Sequence, residues 1–211
     1  MKTEDLIALL ARNEGAAERA PAPWRWALAI GGGLLIGLLL IVTAIGMRPD
    51  IGAAMMPVMA KAAFAAAFAA AALPIVLRLA RPGRPIGWRI GALGLLLVVA
   101  AIACVIALMG ADPAERMRAW TGGGFPWCLV LVPVLATPTA AGLIWLVRGL
   151  APTSLTQAGA AIGAAAGGVG AIAYAMYCPI DSVAFVTTWY SLAIGLCAAL
   201  GAIVGARFLR W

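Results

Sequence analysis

A chain of 211 residues of which 64% are hydrophobic and 11% charged cannot cover an apolar interior with polar surface, which excludes a water-soluble globular domain and leaves an integral membrane protein. The formal charge of +7 does not point to nucleic acid, because the basic residues fall in short groups between apolar runs instead of forming one patch. With no histidine in the sequence, the commonest general base and metal ligand is missing.

Residues 3–14 read as a short amphipathic helix. Thr3 suits the N-cap, Glu4 and Asp5 suit the first turn, Leu6, Ile7 and Leu10 share one face, and Gly15 can end it. A helix of about 12 residues is marginal alone, and the Ala- and Pro-rich stretch that follows, to Pro23, reads as a tether. Glu4, Asp5 and Glu14 beside Lys2 and Arg12 favour a protein partner over a lipid surface, since surface-bound helices are rich in Lys and Arg. Residues 1–24 are therefore expected to form an N-terminal helix and tether, and 25–211 a six-span transmembrane domain.

The six apolar stretches run from about Trp26 to Met47, Met55 to Leu79, Trp88 to Met109, Pro126 to Val147, Leu155 to Met176, and Ala184 to Ala206. Roughly 20 such residues cross a hydrocarbon slab of about 30 Å. The expected fold is an all-α integral membrane protein, a six-helix transmembrane bundle. The first span lacks a small-residue cleavage site at its end and is expected to stay as a helix. Arg12, Arg19, Arg25, Arg78, Arg81, Arg84, Arg89, Arg148, Arg207 and Arg210 gather at one set of span ends, which by the positive-inside rule puts both termini in the cytoplasm. Arg48, Lys61, Arg116 and Arg118 fall toward the other side, accompanied by Asp50, Asp112, Glu115 and Asp181.

Inside the spans, Gly159, Gly163 and Gly167, and then Gly201 and Gly205, repeat every fourth residue. That spacing predicts close packing of the fifth and sixth spans and leaves a homodimer through these faces open. Pro133 and Pro138 interrupt the fourth span, with Thr137 and Thr139 placed to serve the carbonyls that proline frees. No carboxylate or arginine lies deep in a span, which argues against proton-coupled transport. Lys61 is the one embedded charge. Its default is to snorkel to the outer surface; the alternative is pairing with an outer carboxylate such as Asp181, or support of a neighbouring thiolate.

Cys104 and Cys197 lie within spans and read as small apolar residues. Cys128 opens the fourth span and Cys178 follows the fifth, so both belong at the outer boundary. Such a pair suits a soft metal ion or oxidation, although inert thiols have the same pattern. Met47, Met55, Met56, Met59, Met109, Met117 and Met176 also fall at the outer ends, as soft ligands or as packing. A membrane thiol-disulfide oxidoreductase would be expected to carry a Cys-x-x-Cys pair, which is lacking. A small metal-handling membrane protein is the other alternative. No catalytic residues, no cofactor and no direct nucleic-acid contact are expected.

The opening Met1–Leu10, the embedded Lys61, the triplet Pro126-Trp127-Cys128, and the run from Cys178-Pro179-Ile180-Asp181-Ser182 to Trp189-Tyr190 together resemble the NrsF family. Its members are six-span inner-membrane anti-sigma factors of proteobacteria that restrain an extracytoplasmic-function sigma factor. The resemblance implies that the N-terminal segment, through Leu6, Ile7, Leu9 and Leu10, contacts the sigma factor. It also implies that Cys128 and Cys178 sense heavy metal or oxidant. Where the family often carries an acidic residue after Cys-Pro this chain has Ile180, so a carboxylate role there falls to Asp181 or is absent, and support from Lys61 rests on its own position.

Overall fold

The computed structural model describes residues 21–81, 87–123, 126–150 and 152–209; the expected N-terminal helix, with Leu6, Ile7, Leu9 and Leu10, lies outside them. Among the described residues six helices are long and apolar enough to cross a membrane: α1 Pro23–Ile45, α2 Met55–Leu79, α3 Arg89–Gly110, α5 Cys128–Arg148, α6 Leu155–Ala175 and α7 Val183–Phe208. A short α4, Arg116–Thr121, lies between α3 and α5. Among the described residues there is no strand, and helices satisfy their own backbone groups where no water can.

The six expected spans are present, with ends shifted by a few residues. α1 begins at Pro23 rather than Trp26 because proline has a preset φ and no N–H to leave unpaired, which suits the first helical position. The short α4 was not expected, since its sequence is too brief and polar to register as an apolar repeat. It ends on Gly122, at φ 72°, the left-handed cap that glycine adopts without Cβ strain.

α6 is the axis of the bundle. Nearly all of it is buried, although its side chains are mostly Ala and Gly, because a slender helix lets its neighbours approach closely. A Cβ on Gly168 would lie 2.8 Å from the Ala69 nitrogen of α2, and one on Gly170 would lie 2.7 Å from the Ala136 nitrogen of α5. Gly159 and Gly163 abut the backbone of Gly201, Gly205 and Cys197 on α7. The close packing expected of the last two spans is therefore present, and α6 repeats it against α2 and α5. α3 packs beside α2 and the start of α7 and turns Leu95, Val98, Ile102 and Ile106 outward.

α1 rests on α5, with Gly33 against Thr139 and a Gly142 Cβ position 3.1 Å from the Ala29 side chain. Thr137 Oγ1 donates to the Pro133 carbonyl at 3.0 Å, an i−4 back-bond and not a bond to the Leu129 or Val134 carbonyls that the prolines free. Thr139 also departs from expectation: its hydroxyl is buried without a partner among the described residues, pressed against Gly33. Two π-helical turns interrupt the α geometry, Ile41–Ile45 closing α1 and Val186–Tyr190 early in α7. An added residue in a turn re-aims the side chains beyond it. In α7, Thr187 Oγ1 takes up the Val183 carbonyl at 2.8 Å. Six crossings bring the chain back to the end where it began, so Pro23 and Phe208 share one end, and the loops 46–54 and 176–182 share the other with the segment 111–123 that carries α4.

Candidate functional site

The loop between α6 and α7 is where charge and sulfur meet. α6 stops at Ala175, and the Tyr177 and Cys178 amides still bond back to the Tyr174 carbonyl at 3.0 and 3.1 Å. Pro179 then prevents the helix from continuing, because the residue before a proline is driven out of helical geometry. The last carbonyls of a helix lack intrahelical donors and carry partial negative charge, and here the carbonyls past the end of α6 are met from the loop after α1 and from α2. The Arg48 amide donates to the Met176 carbonyl at 3.2 Å. Arg48 Nη1 and Lys61 Nζ both donate to the Cys178 carbonyl, at 3.2 and 2.9 Å.

Asp181 closes this arrangement. Its carboxylate takes Lys61 Nζ at 2.6 Å and both Arg48 Nη atoms, at 2.8 and 3.1 Å. Arg48 also grips Asp50, Nε at 2.8 Å and Nη2 at 2.9 Å. Two cations and two carboxylates therefore balance. The Arg48 and Lys61 side chains are each only 3% exposed, against 35% for Asp181 and 57% for Asp50, so the buried members are the cations. Hydrogen bonds from Arg48, followed by those from Lys61, hold the Asp181 carboxyl below the usual carboxylate range. Asp50 is held down chiefly by Arg48. Lys61 does not snorkel; it pairs with Asp181, and its second bond goes to the Cys178 carbonyl and not to a thiol.

Cys128 and Cys178 are both fully buried, free of any disulfide, and close enough to interact electrostatically. Cys128, at the first position of α5, directs its sulfur toward the Pro126 carbonyl at 3.8 Å. Cys178 directs its own toward the Ile180 carbonyl, also at 3.8 Å. Tyr174 and Tyr190 share the neighbourhood of these sulfurs, their rings 5.6 Å apart. The fully buried Tyr190 lies beside Cys178, and among the described residues its hydroxyl has no well-formed hydrogen bond. Cys104 and Cys197 lie elsewhere: Cys104 Sγ is 3.3 Å from Thr188 Oγ1, and Cys197 fills the α6–α7 seam against Gly163 and Gly167.

α4 covers the outer flank. The Trp120 indole donates to Thr188 Oγ1 at 3.2 Å, and the Trp189 indole donates to the Trp120 carbonyl at 2.8 Å. Gly122 touches Ile180 and Phe185. Met55, Met56, Met59, Met109 and Met117 are more than half exposed and coat the rim, Met47 is 44% exposed, and Met176 packs against the core that holds Cys128 and Cys178.

Sequence reasoning placed Cys128, Cys178, Lys61 and Asp181 at this end; the structure joins Lys61 to Asp181 and to the Cys178 carbonyl, and buries Cys128 at the head of α5 on the same side. The same reasoning put Arg48 on this side without giving it a role, quoted Tyr190 only in the family resemblance, and missed Tyr174. The signal for Arg48 was an arginine two residues before Asp50, just past a span on the carboxylate-bearing side. The tyrosines were legible only as polar-tipped residues within apolar helices.

A six-helix bundle whose terminal loop is clamped by a balanced ion cluster over two buried thiols is a small multi-pass membrane protein, with its polar chemistry concentrated at one end. Residues 10–211 match the family model described as NrsF, negative regulator of sigma F. The chain belongs to this family. It is 38% identical over 213 residues to the "Probable anti-sigma-F factor NrsF" of Azospira oryzae, covering 100% of both chains. It is 34% identical over 216 residues to the "Anti-sigma-F factor NrsF" of Caulobacter vibrioides, again over 100% of each. No solved structure matches it.

Proposed function

We propose that this chain is a bacterial inner-membrane anti-sigma factor. It holds a sigma factor of the extracytoplasmic-function class at the cytoplasmic face through its N-terminal segment and releases it when Cys128 and Cys178 meet a soft metal ion or an oxidant. The full-length match to a family of negative regulators of sigma F is the observation that carries the sigma-factor part. Leu6, Ile7, Leu9 and Leu10 supply the apolar face that a sigma factor would cover, and the tether to Pro23 lets that face reach it. The thiol end then faces the periplasm, where soft metals and oxidants arrive first.

The sensing part is supported by the neighbourhood of the two sulfurs. Two thiolates suit a soft ion, and oxidation would join them once their Cα atoms come within about 4.4 to 6.8 Å. Either event pulls on the loop that Arg48, Lys61 and Asp181 hold, and on Cys128 at the head of α5. α5 packs along α1, which leads back to the N-terminal segment. To turn a 1:99 equilibrium into 99:1 the signal must favour release by about 5.5 kcal/mol, a demand that a metal–dithiolate bond or a disulfide can meet.

The test is co-purification of the sigma factor with the full chain, with a chain lacking residues 1–14, and with Cys128→Ser/Cys178→Ser. The truncated chain is expected to lose the partner, and the double mutant to keep it under cadmium or diamide treatment. Normal release by the double mutant would overturn the sensing role, and retention by the truncated chain would overturn the binding role.

A further inference from the structure

Away from the thiols, a groove of about 530 Å³ opens on the flank of the bundle between α5 and α7, with α6 as its floor. The α5 wall runs from Pro133 past Ala140 and Ala141 to Arg148, and the α7 wall from Cys197 past Leu200 to Phe208. The floor is shallow because Gly163 and Ala166 have little or no side chain. From Pro133 to Arg148 the helix rises about 22 Å, longer than half of a hydrocarbon core of about 30 Å and comparable to an extended fatty acyl chain.

The groove is apolar along its length and cationic at one end. Arg148 lines that end, is exposed, and forms no ion pair with a carboxylate among the described residues. Trp145, also in the lining and 67% exposed, is the kind of ring that settles at headgroup depth. An unpaired guanidinium above a slot of acyl-chain length complements one occupant chemically: a lipid with an anionic phosphate head and a long apolar tail.

We propose that this groove binds one anionic phospholipid, its phosphate on Arg148 and an acyl chain laid over α6 between α5 and α7. The occupant fills the space that α5 and α7 leave open above α6.

The experiment uses the purified full chain, stripped of lipid in mild detergent, with dioleoyl phosphatidylglycerol or dioleoyl phosphatidylcholine added. Native mass spectrometry reads stoichiometry and thermal unfolding reads affinity. Phosphatidylglycerol should bind at one molecule per chain and raise the melting temperature at lower concentration than phosphatidylcholine, whose tails are the same. Arg148→Gln, at an exposed helix end, should weaken phosphatidylglycerol about fivefold and erase the preference. Ala141→Trp, on an exposed wall position, should remove the single bound lipid altogether. Equal binding of the two lipids by the unmutated chain, or a preference that survives Arg148→Gln, overturns the proposal. So does an Ala141→Trp chain that keeps its lipid but changes from dimer to monomer by light scattering, which would make the groove a face between copies.

Discussion

Asp181 answers two buried cations at once, and that makes it the residue on which the thiol end depends. Asp181→Asn leaves Lys61 with no carboxylate and Arg48 with Asp50 as its remaining one, beside the Cys178 carbonyl that both cations share. Removing one partner of a buried pair costs about 3 kcal/mol, so this variant should melt well below the parent in detergent. It should also loosen the 177–182 loop, and a maleimide should then modify Cys178 faster than in the parent, where that thiol is fully buried. Arg48→Lys keeps the charge but loses the planar fork that reaches Asp50 and Asp181 together, and it should show a smaller change in the same direction. The dependence on pH follows from the sign of the shift. Asp181 sits below its ordinary range, so its contribution is complete above the unfolded carboxylate value of about 3.9 and is lost as pH falls through the lower folded value. Melting temperature should stay level from neutrality to mild acid and drop only in strong acid. In Asp181→Asn that acid-side drop should shrink. A titration in which parent and variant lose stability in parallel would show that the cluster adds nothing.

Among the elements, α6 carries the packing. Its glycines are separable by what a Cβ would meet. At Gly170 it would press on the Ala136 nitrogen and the Val132 carbonyl, at 2.7 and 2.8 Å, and at Gly168 on α2 backbone, whereas at Gly195 of α7 and Gly94 of α3 nothing lies within 4 Å. Gly170→Ala should therefore force α5 away and destabilise by about 1–3 kcal/mol. Gly195→Ala should be neutral or stabilise by up to about 1 kcal/mol, because alanine costs less backbone entropy in a helix. Thermal unfolding of the two variants side by side checks the contrast. The four-residue glycine spacing was legible as a close approach between α6 and α7. The glycines at 168 and 170 break that spacing and serve other neighbours, which a single-face repeat cannot reveal. The π turn at Val186–Tyr190 was equally hidden, since no local residue pattern marks where a helix takes in an extra residue.

For the whole molecule, the distance between the thiols and the N-terminal segment is spanned by α5 and α1 lying against each other, Gly33 on Thr139 and Gly142 on Ala29. Under the proposed function the N-terminal segment acts downstream of the sulfurs. Deleting residues 1–14 should therefore give constitutive sigma-factor activity whether or not Cys128 and Cys178 are replaced, measured with a reporter for the regulated promoter. A truncated chain that still responds to cadmium through its cysteines would reverse that order. The sequence by itself determined the membrane environment, the six spans and the end to which both thiols and the embedded lysine belong, because hydrocarbon selects for length and apolarity and those are local properties of a chain. Only the tertiary structure decided that Lys61 turns inward to Asp181 instead of outward to water, that Arg48 joins it, and that α6 is the axis. Each of those outcomes depends on which distant segment supplies the compensating charge or the space, and a buried ammonium takes whichever partner the packing of the other helices brings within reach.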